Sequence, residues 1–166
     1  MSVITFSGGS VNTNGELPEI GLVAPNFALV KNDLTEVSLS DLKGKTIVLN
    51  IFPSIDTGVC AASVRRFNKE ASNLPNTVVL AVSADLPFAS GRFCSAEGIE
   101  NVIPVSVFRS PEFAENYGVL MIDGPLKGLL ARSVVVINTQ GNISYTELVP
   151  EITNEPNYQA AISSIV

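Results

Sequence analysis

The segment PSIDTGVCAAS, residues 53–63, sets Cys60 between the apolar run TIVLNIF and a stretch with helical spacing; the chain's other cysteine is Cys94. In the first turn of a helix a cysteine meets unpaired backbone N–H groups and the positive end of the dipole, which favour a thiolate over a thiol. Lower basicity also weakens a nucleophile, so a fast catalyst needs a further group that stabilises the transition state. Thr57 carries a hydroxyl that both donates and accepts, and Pro53 fixes the start of the loop and shields it. Such a set suits attack of a sulfur anion on a polar O–O bond, where negative charge builds on the departing oxygen. The same residue types also fit a buried structural thiol in an ordinary strand-to-helix loop. On residue types alone both readings stand.

Other chemistries are excluded more firmly. The sequence has no histidine, which removes a Cys/His zinc site and any Cys-His or Ser-His catalytic pair. Sixteen acidic against ten basic side chains oppose a phosphate-backbone partner, so no nucleic-acid footprint is expected. The N-terminal MSVITFSGGSVNTNGELPEIG has no lysine or arginine and only a short apolar run, unlike a secretory signal. Nowhere does an apolar stretch approach the roughly 20 residues of a membrane span. A soluble, cytoplasmic protein is predicted, with residues 1–166 forming one domain. GKT at Gly44–Thr46 lacks the earlier glycine of a phosphate-binding loop, since Leu39 stands there, and it precedes a strand where it should follow one. The sequon at Asn142 is idle without a secretory signal.

The elements that must position Cys60 follow from periodicity. VITFSGGSVNT reads as a hairpin around its glycines, and NGELPEIGLVAPNF as a loop leading inward. KTIVLNIF suits a strand buried on both faces. In CAASVRRFNKEAS, Val64, Phe67 and Ala71 share one helical face, with charges between them. A second strand, TVVLAVS, leads to a helix over ADLPFASGRFCSAEG, which Asp85 is predicted to cap, Pro87 to start and Gly98 to end. IPVSVF, a helical patch at PEFAENYG, the strands SVVVIN and ISYTEL, and a helix entered through TNEPNYQAAISSIV complete the chain. This order predicts an α/β sheet with crossover helices and an antiparallel part.

PSIDTGVCAASVRRFNKEA resembles the active-site segment of the peroxiredoxins, and its PS-x-DT-x-VCA-x-SVR-x-FN form resembles the thiol peroxidase branch of that family. GKTIVLNIFPSIDT, RFCSAEGIENV and GPLKGLLARSVVVIN are similar to further segments of that branch, in the expected order. The resemblance implies a thioredoxin-like fold, with a central mixed sheet flanked by helices and an N-terminal β-hairpin. It implies that Cys60 attacks hydrogen peroxide or an organic hydroperoxide and becomes a sulfenic acid. Thr57 would then hydrogen-bond the sulfur and the peroxide, Arg132 would stabilise the thiolate and orient the substrate oxygens, and Pro53 and Ser54 would help bind substrate. Asp56 also matches, with no role beyond shaping the loop. Cys94 matches the resolving cysteine, closing an intramolecular disulfide that thioredoxin reduces. A homodimer is implied, and no metal, haem or flavin. One rival is a thiol-disulfide oxidoreductase, since CAAS is a C-x-x-S sequence; another is a non-enzymatic redox-sensing or binding domain. Because both cysteines fall within helices, the reduced sulfurs are expected to lie too far apart to bond, with both helices unwinding on oxidation and Gly91 as a weak point.

Overall fold

The computed structural model describes residues 1–165. Strand β5 (Thr46–Ile51) is its centre: all six residues are buried, and their alternation sends Ile47, Leu49 and Ile51 to one face and Val48 and Asn50 to the other. β5 pairs in parallel with β6 (Thr77–Ser83), and β6 with β7 (Val102–Ser106). The connections are helices α1 (Gly58–Ala71) and α2 (Pro87–Glu97), as parallel neighbours require. On the other side of β5, β8 (Ser133–Ile137) and β9 (Ile143–Leu148) add antiparallel. Beyond β7 lie β3 (Ala28–Lys31) and β4 (Glu36–Ser38), which gives the mixed seven-stranded order β4-β3-β7-β6-β5-β8-β9.

Each face of the sheet has its own core. Phe27, Phe113 and Tyr117 pack against Leu49, Leu80 and Val135, with Phe113 and Tyr117 supplied by α3 (Pro111–Tyr117). Val64 and Phe67 of α1 meet Val48, Val79 and Val136 on the opposite face, joined by Tyr158 and Ala161 of α4 (Tyr158–Ser163). Phe67 and Tyr158 make an edge-to-face pair with centroids 5.2 Å apart. The hairpin of β1 (Val3–Phe6) and β2 (Gly9–Asn12) forms a separate two-stranded sheet. Its Ile4 and Val11 bury themselves with Met121, Ala131 and Ile152 in a third, smaller cluster. Gly118 ends α3 at φ 67°, where the Glu16 backbone passes so close that a Cβ would overlap it.

The predicted elements all form, one further hairpin is present, and one capping expectation changes. The further hairpin is β3–β4. Its turn holds Leu34 at φ 70°, a conformation that leucine does not signal. Asp85 does not cap α2: the cap position is Leu86, with no side-chain bond, and the Asp85 carboxylate turns to the Cys60 loop. Pro87 does open α2, and Gly98 closes it at φ 65°.

Candidate active site

The loop Pro53–Thr57 leaves the carboxyl end of β5, where open α/β sheets gather their functional groups. Asp85, at the carboxyl end of the neighbouring β6, fixes it. One carboxylate oxygen accepts from Ser54 Oγ at 2.8 Å; the other accepts from the Ile55 N–H at 2.7 Å and Ser83 Oγ at 2.8 Å. Ser54 Oγ also accepts the Asp56 N–H at 3.2 Å. Pro53, the first residue of the loop, is buried. Thr57 is the cap residue of α1, in extended conformation, and its carbonyl accepts the Ala61 N–H at 3.0 Å.

Cys60 is the third residue of α1 and has 0% exposure. Its sulfur lies 3.3 Å from Arg132 Nη2. Register places that arginine: Ile51 at the end of β5 pairs with Ser133 at the start of β8, so residue 132 stands beside the Cys60 loop. Arg132 is only 2% exposed; its Nε donates to the Ile152 carbonyl at 2.8 Å, while its Nη1 is buried without a partner. A second buried polar chain approaches from below. Asn50 Nδ2 donates to Ser63 Oγ at 3.1 Å, and Ser63 Oγ donates to the Cys60 carbonyl at 2.7 Å.

The structure brings together Cys60, Arg132 and the loop carrying Pro53, Ser54 and Thr57. Thr57 differs from expectation in one bond: its hydroxyl donates to the Ser54 carbonyl at 3.0 Å, and no hydrogen bond to sulfur forms. With its proton so used, the hydroxyl of this exposed side chain presents lone pairs to an incoming donor. Ser54 is likewise committed, to Asp85 and to the loop backbone. Asp56 is exposed and stands 3.8 Å from Arg92 of α2, a contact that solvent largely screens.

Cys94 is not part of this cluster. Both cysteines are free thiols, and Cys94 is half-buried on α2. It lines a depression of about 490 Å³ with Asn32, Gly91 and Ile99. Burial pushes its thiol up from the ordinary value, so it stays protonated at neutral pH. α2 meets α1 through Arg65, which pairs with Glu97 at 2.6 Å and lies 5.6 Å over the Phe93 ring. A larger depression, of about 550 Å³, lies at the opposite end of the sheet beside Ile47, Ile137 and Lys43. It holds neither cysteine, so size alone does not mark the reactive end.

Sequence reasoning missed Asp85's true partners, the Asn50 and Ser63 pair, and the Ile152 carbonyl. Only Ser83 and Asp85 carried a local signal, since a Ser two residues before an Asp favours a polar turn, here closed by the Asp85 N–H onto Ser83 Oγ at 3.2 Å.

The chain is similar to known proteins along nearly its whole length. Residues 19–162 match the Redoxin family. The chain is 56% identical to a thiol peroxidase of Corynebacterium glutamicum and 54% identical to one of Mycobacterium tuberculosis, in each case covering 99% of both chains. It superposes with a TM-score of 0.93 on the crystal structure of a peroxiredoxin-like protein from Aquifex aeolicus, at 39% identity, covering 98% of this chain and 95% of that one. The chain therefore belongs to the redoxin family, in the thiol peroxidase branch of the peroxiredoxins, and is a peroxidase that works through a thiol.

Proposed function

We propose that the protein reduces hydrogen peroxide and organic hydroperoxides through Cys60, with Cys94 resolving the intermediate and thioredoxin returning the electrons. The Cys60 thiolate attacks one peroxide oxygen, the O–O bond breaks, and the departing oxygen leaves with a proton as water or an alcohol. The sulfenic acid condenses with the Cys94 thiol, forming a disulfide and releasing water. A dithiol reductant of the thioredoxin class then reduces the disulfide by exchange. Homodimer assembly and a cytoplasmic location belong to the same reading and rest on the resemblance.

The observation that carries the proposal is Arg132. A guanidinium only 2% exposed, with one nitrogen on a sulfur and another unpartnered, is costly unless a ligand completes it. A peroxide oxygen beside Cys60 accepts from the free Nη1, and its O–H donates to the lone pairs of Thr57. The bond from Nη1 strengthens as charge develops on the departing oxygen, while Thr57 orients the peroxide for attack. A thiol-disulfide oxidoreductase is supported less well, because the fourth residue of CAAS, Ser63, is buried and spends its hydroxyl on the Cys60 carbonyl.

The test is a thioredoxin-coupled peroxidase assay. Cys60→Ser should fall below a few per cent of wild-type turnover while remaining folded, since an alcohol cannot supply the anion. Cys94→Ser should still consume one equivalent of peroxide and gain the mass of one oxygen at Cys60. Substantial turnover by Cys60→Ser would remove the assignment, and an undiminished coupled rate for Cys94→Ser would remove the resolving step.

A further inference from the structure

Arg132 holds its place over the Cys60 sulfur through one bond that fixes the root of the guanidinium, from Nε to the Ile152 carbonyl at 2.8 Å. That carbonyl belongs to a short bridge-and-turn segment after β9, held by the N-terminal hairpin. Thr5 N–H donates to the Pro150 carbonyl at 2.8 Å, and Ile152 N–H donates to the Thr5 carbonyl at 2.9 Å, a parallel bridge on β1. The Ile152 side chain is buried among Ile4, Val11, Met121 and Ala131.

Glu151, between those two backbone bonds, does more than cover the surface. One carboxylate oxygen accepts from Thr5 Oγ1 at 3.0 Å and from the Gly8 N–H at 2.9 Å. The other accepts from the Ser7 N–H at 3.2 Å, the Thr153 N–H at 2.9 Å and Thr153 Oγ1 at 2.8 Å. Ser7 and Gly8 take φ values of 49° and 85°, the tight turn that directs both N–H groups at one acceptor. The backbone donors of Thr153 and Gly8, with the Thr153 hydroxyl, hold the carboxyl down to about 2, so it stays ionised across the neutral range.

We propose that Glu151 is a positioning residue for the peroxidase reaction, clamping the β1–β2 turn onto the segment Pro150–Thr153 and so fixing the Ile152 carbonyl that aims Arg132 at the Cys60 sulfur. The N-terminal hairpin is then a buttress of the active site. This rests on the reading of Arg132 given above.

The experiment is a double-mutant cycle on reduced full-length protein, reading the second-order rate of Cys60 oxidation by hydrogen peroxide. Glu151→Ala should lower that rate about tenfold in the wild-type background, since small misplacements of a stabilising group cost one to two orders of magnitude. In an Arg132→Met background the same change should cost less than about twofold, because nothing remains to be aimed. Alkylation of Cys60 by iodoacetamide, which offers no peroxide oxygens to Arg132, should change less than the peroxide rate in Glu151→Ala. Equal losses in both backgrounds, or a folded Glu151→Ala at the wild-type rate, would overturn the proposal. An Arg132→Met enzyme with undiminished rate would overturn the reading of Arg132 itself, and this inference with it. Should Glu151→Ala fold poorly, Glu151→Gln retains one acceptor and the shape, and should show a smaller loss with the same dependence on Arg132.

Discussion

Helices α1 and α2 each carry one cysteine on the same face of the sheet, and the fold treats them differently. Around Cys60, α1 buries Ala61, Ser63, Val64 and Phe67, and a guanidinium reaches the sulfur. Only Pro87 and Ser90 of α2 are buried, and Cys94 is half-exposed beside a surface depression. Cys60, the proposed nucleophile, stands where a polar group is already ordered against its sulfur. Cys94 stands where little apolar contact opposes local opening. The proposed mechanism, which needs a fixed geometry at Cys60 first and a bond between the two sulfurs afterwards, is served by that division. For the proposed disulfide the enclosed Cys60 would have to leave its turn, and α2, with only Pro87 and Ser90 buried, is the element expected to open.

The comparison breaks most visibly at Arg132. Arg132→Met keeps much of the buried stem but removes the donors to sulfur and peroxide, so oxidation of Cys60 should slow about 100-fold or more. Alkylation of Cys94, whose surroundings do not include Arg132, should stay within about twofold. Both rates come from timed alkylation and mass analysis of one reduced sample. Parallel losses at the two cysteines would mean that the substitution disturbs the fold at large.

An intermediate effect is expected at Asp85, the carboxylate that ties the Cys60 loop to the end of β6 just before α2 begins. Asp85→Asn replaces one accepting oxygen with an amide donor facing Ser54 or the Ile55 N–H. Losing a charged acceptor in a part-buried site costs about 1–3 kcal/mol. Part of that should appear as a roughly tenfold slower reaction of Cys60 with peroxide. A larger change at Cys94 than at Cys60 would reverse the assignment of Asp85 to the loop.

What could be read from the sequence divides along the same line. The β5 strand, the start of α1 and the place of Cys60 rest on local patterns: a run of branched apolar residues, helical spacing and a loop at a strand end. Gly98 and Pro87 mark α2 by rules that act within a turn. Arg132 came from resemblance, because nothing around LLARSVVV says that register with β5 will bury its guanidinium. Asn50, in the middle of an apolar strand, and Glu151, in a polar loop, owe their partners to segments far along the chain, which no local pattern encodes. Asp85 was misread for a related reason: a carboxylate near a helix start satisfies the capping rule, yet here the neighbouring loop offers more donors. The hairpin β3–β4 turns at Asn32 and Asp33 and goes left-handed at Leu34, where no glycine announces it.

The smallest expected effect lies in Gly91, and it tests whether α2 is the yielding element. Gly91 precedes Cys94 within α2, and a Cβ there would sit 3.7 Å from the Asn32 side chain, an ordinary contact. Gly91→Ala is therefore accommodated in the folded helix and favours it by about 1 kcal/mol. If α2 must open before Cys94 can reach Cys60, that preference subtracts from the opening equilibrium. Disulfide formation should slow about fivefold. The first reaction of Cys60 with peroxide should be unchanged, because Arg132, Asp85 and the loop are untouched. While α2 stays closed, burial also raises the Cys94 thiol above its ordinary value, so the closed helix lowers the thiolate fraction as well as holding the sulfur in place. A longer-lived Cys60 sulfenic acid should then meet a second peroxide more often, raising the sulfinic acid formed at high peroxide. Rapid-quench alkylation resolves the two steps, and mass analysis counts the sulfinic product. An unchanged rate of disulfide formation, with a raised melting temperature confirming the stiffer helix, would place the slow opening in α1 and remove α2 from that role.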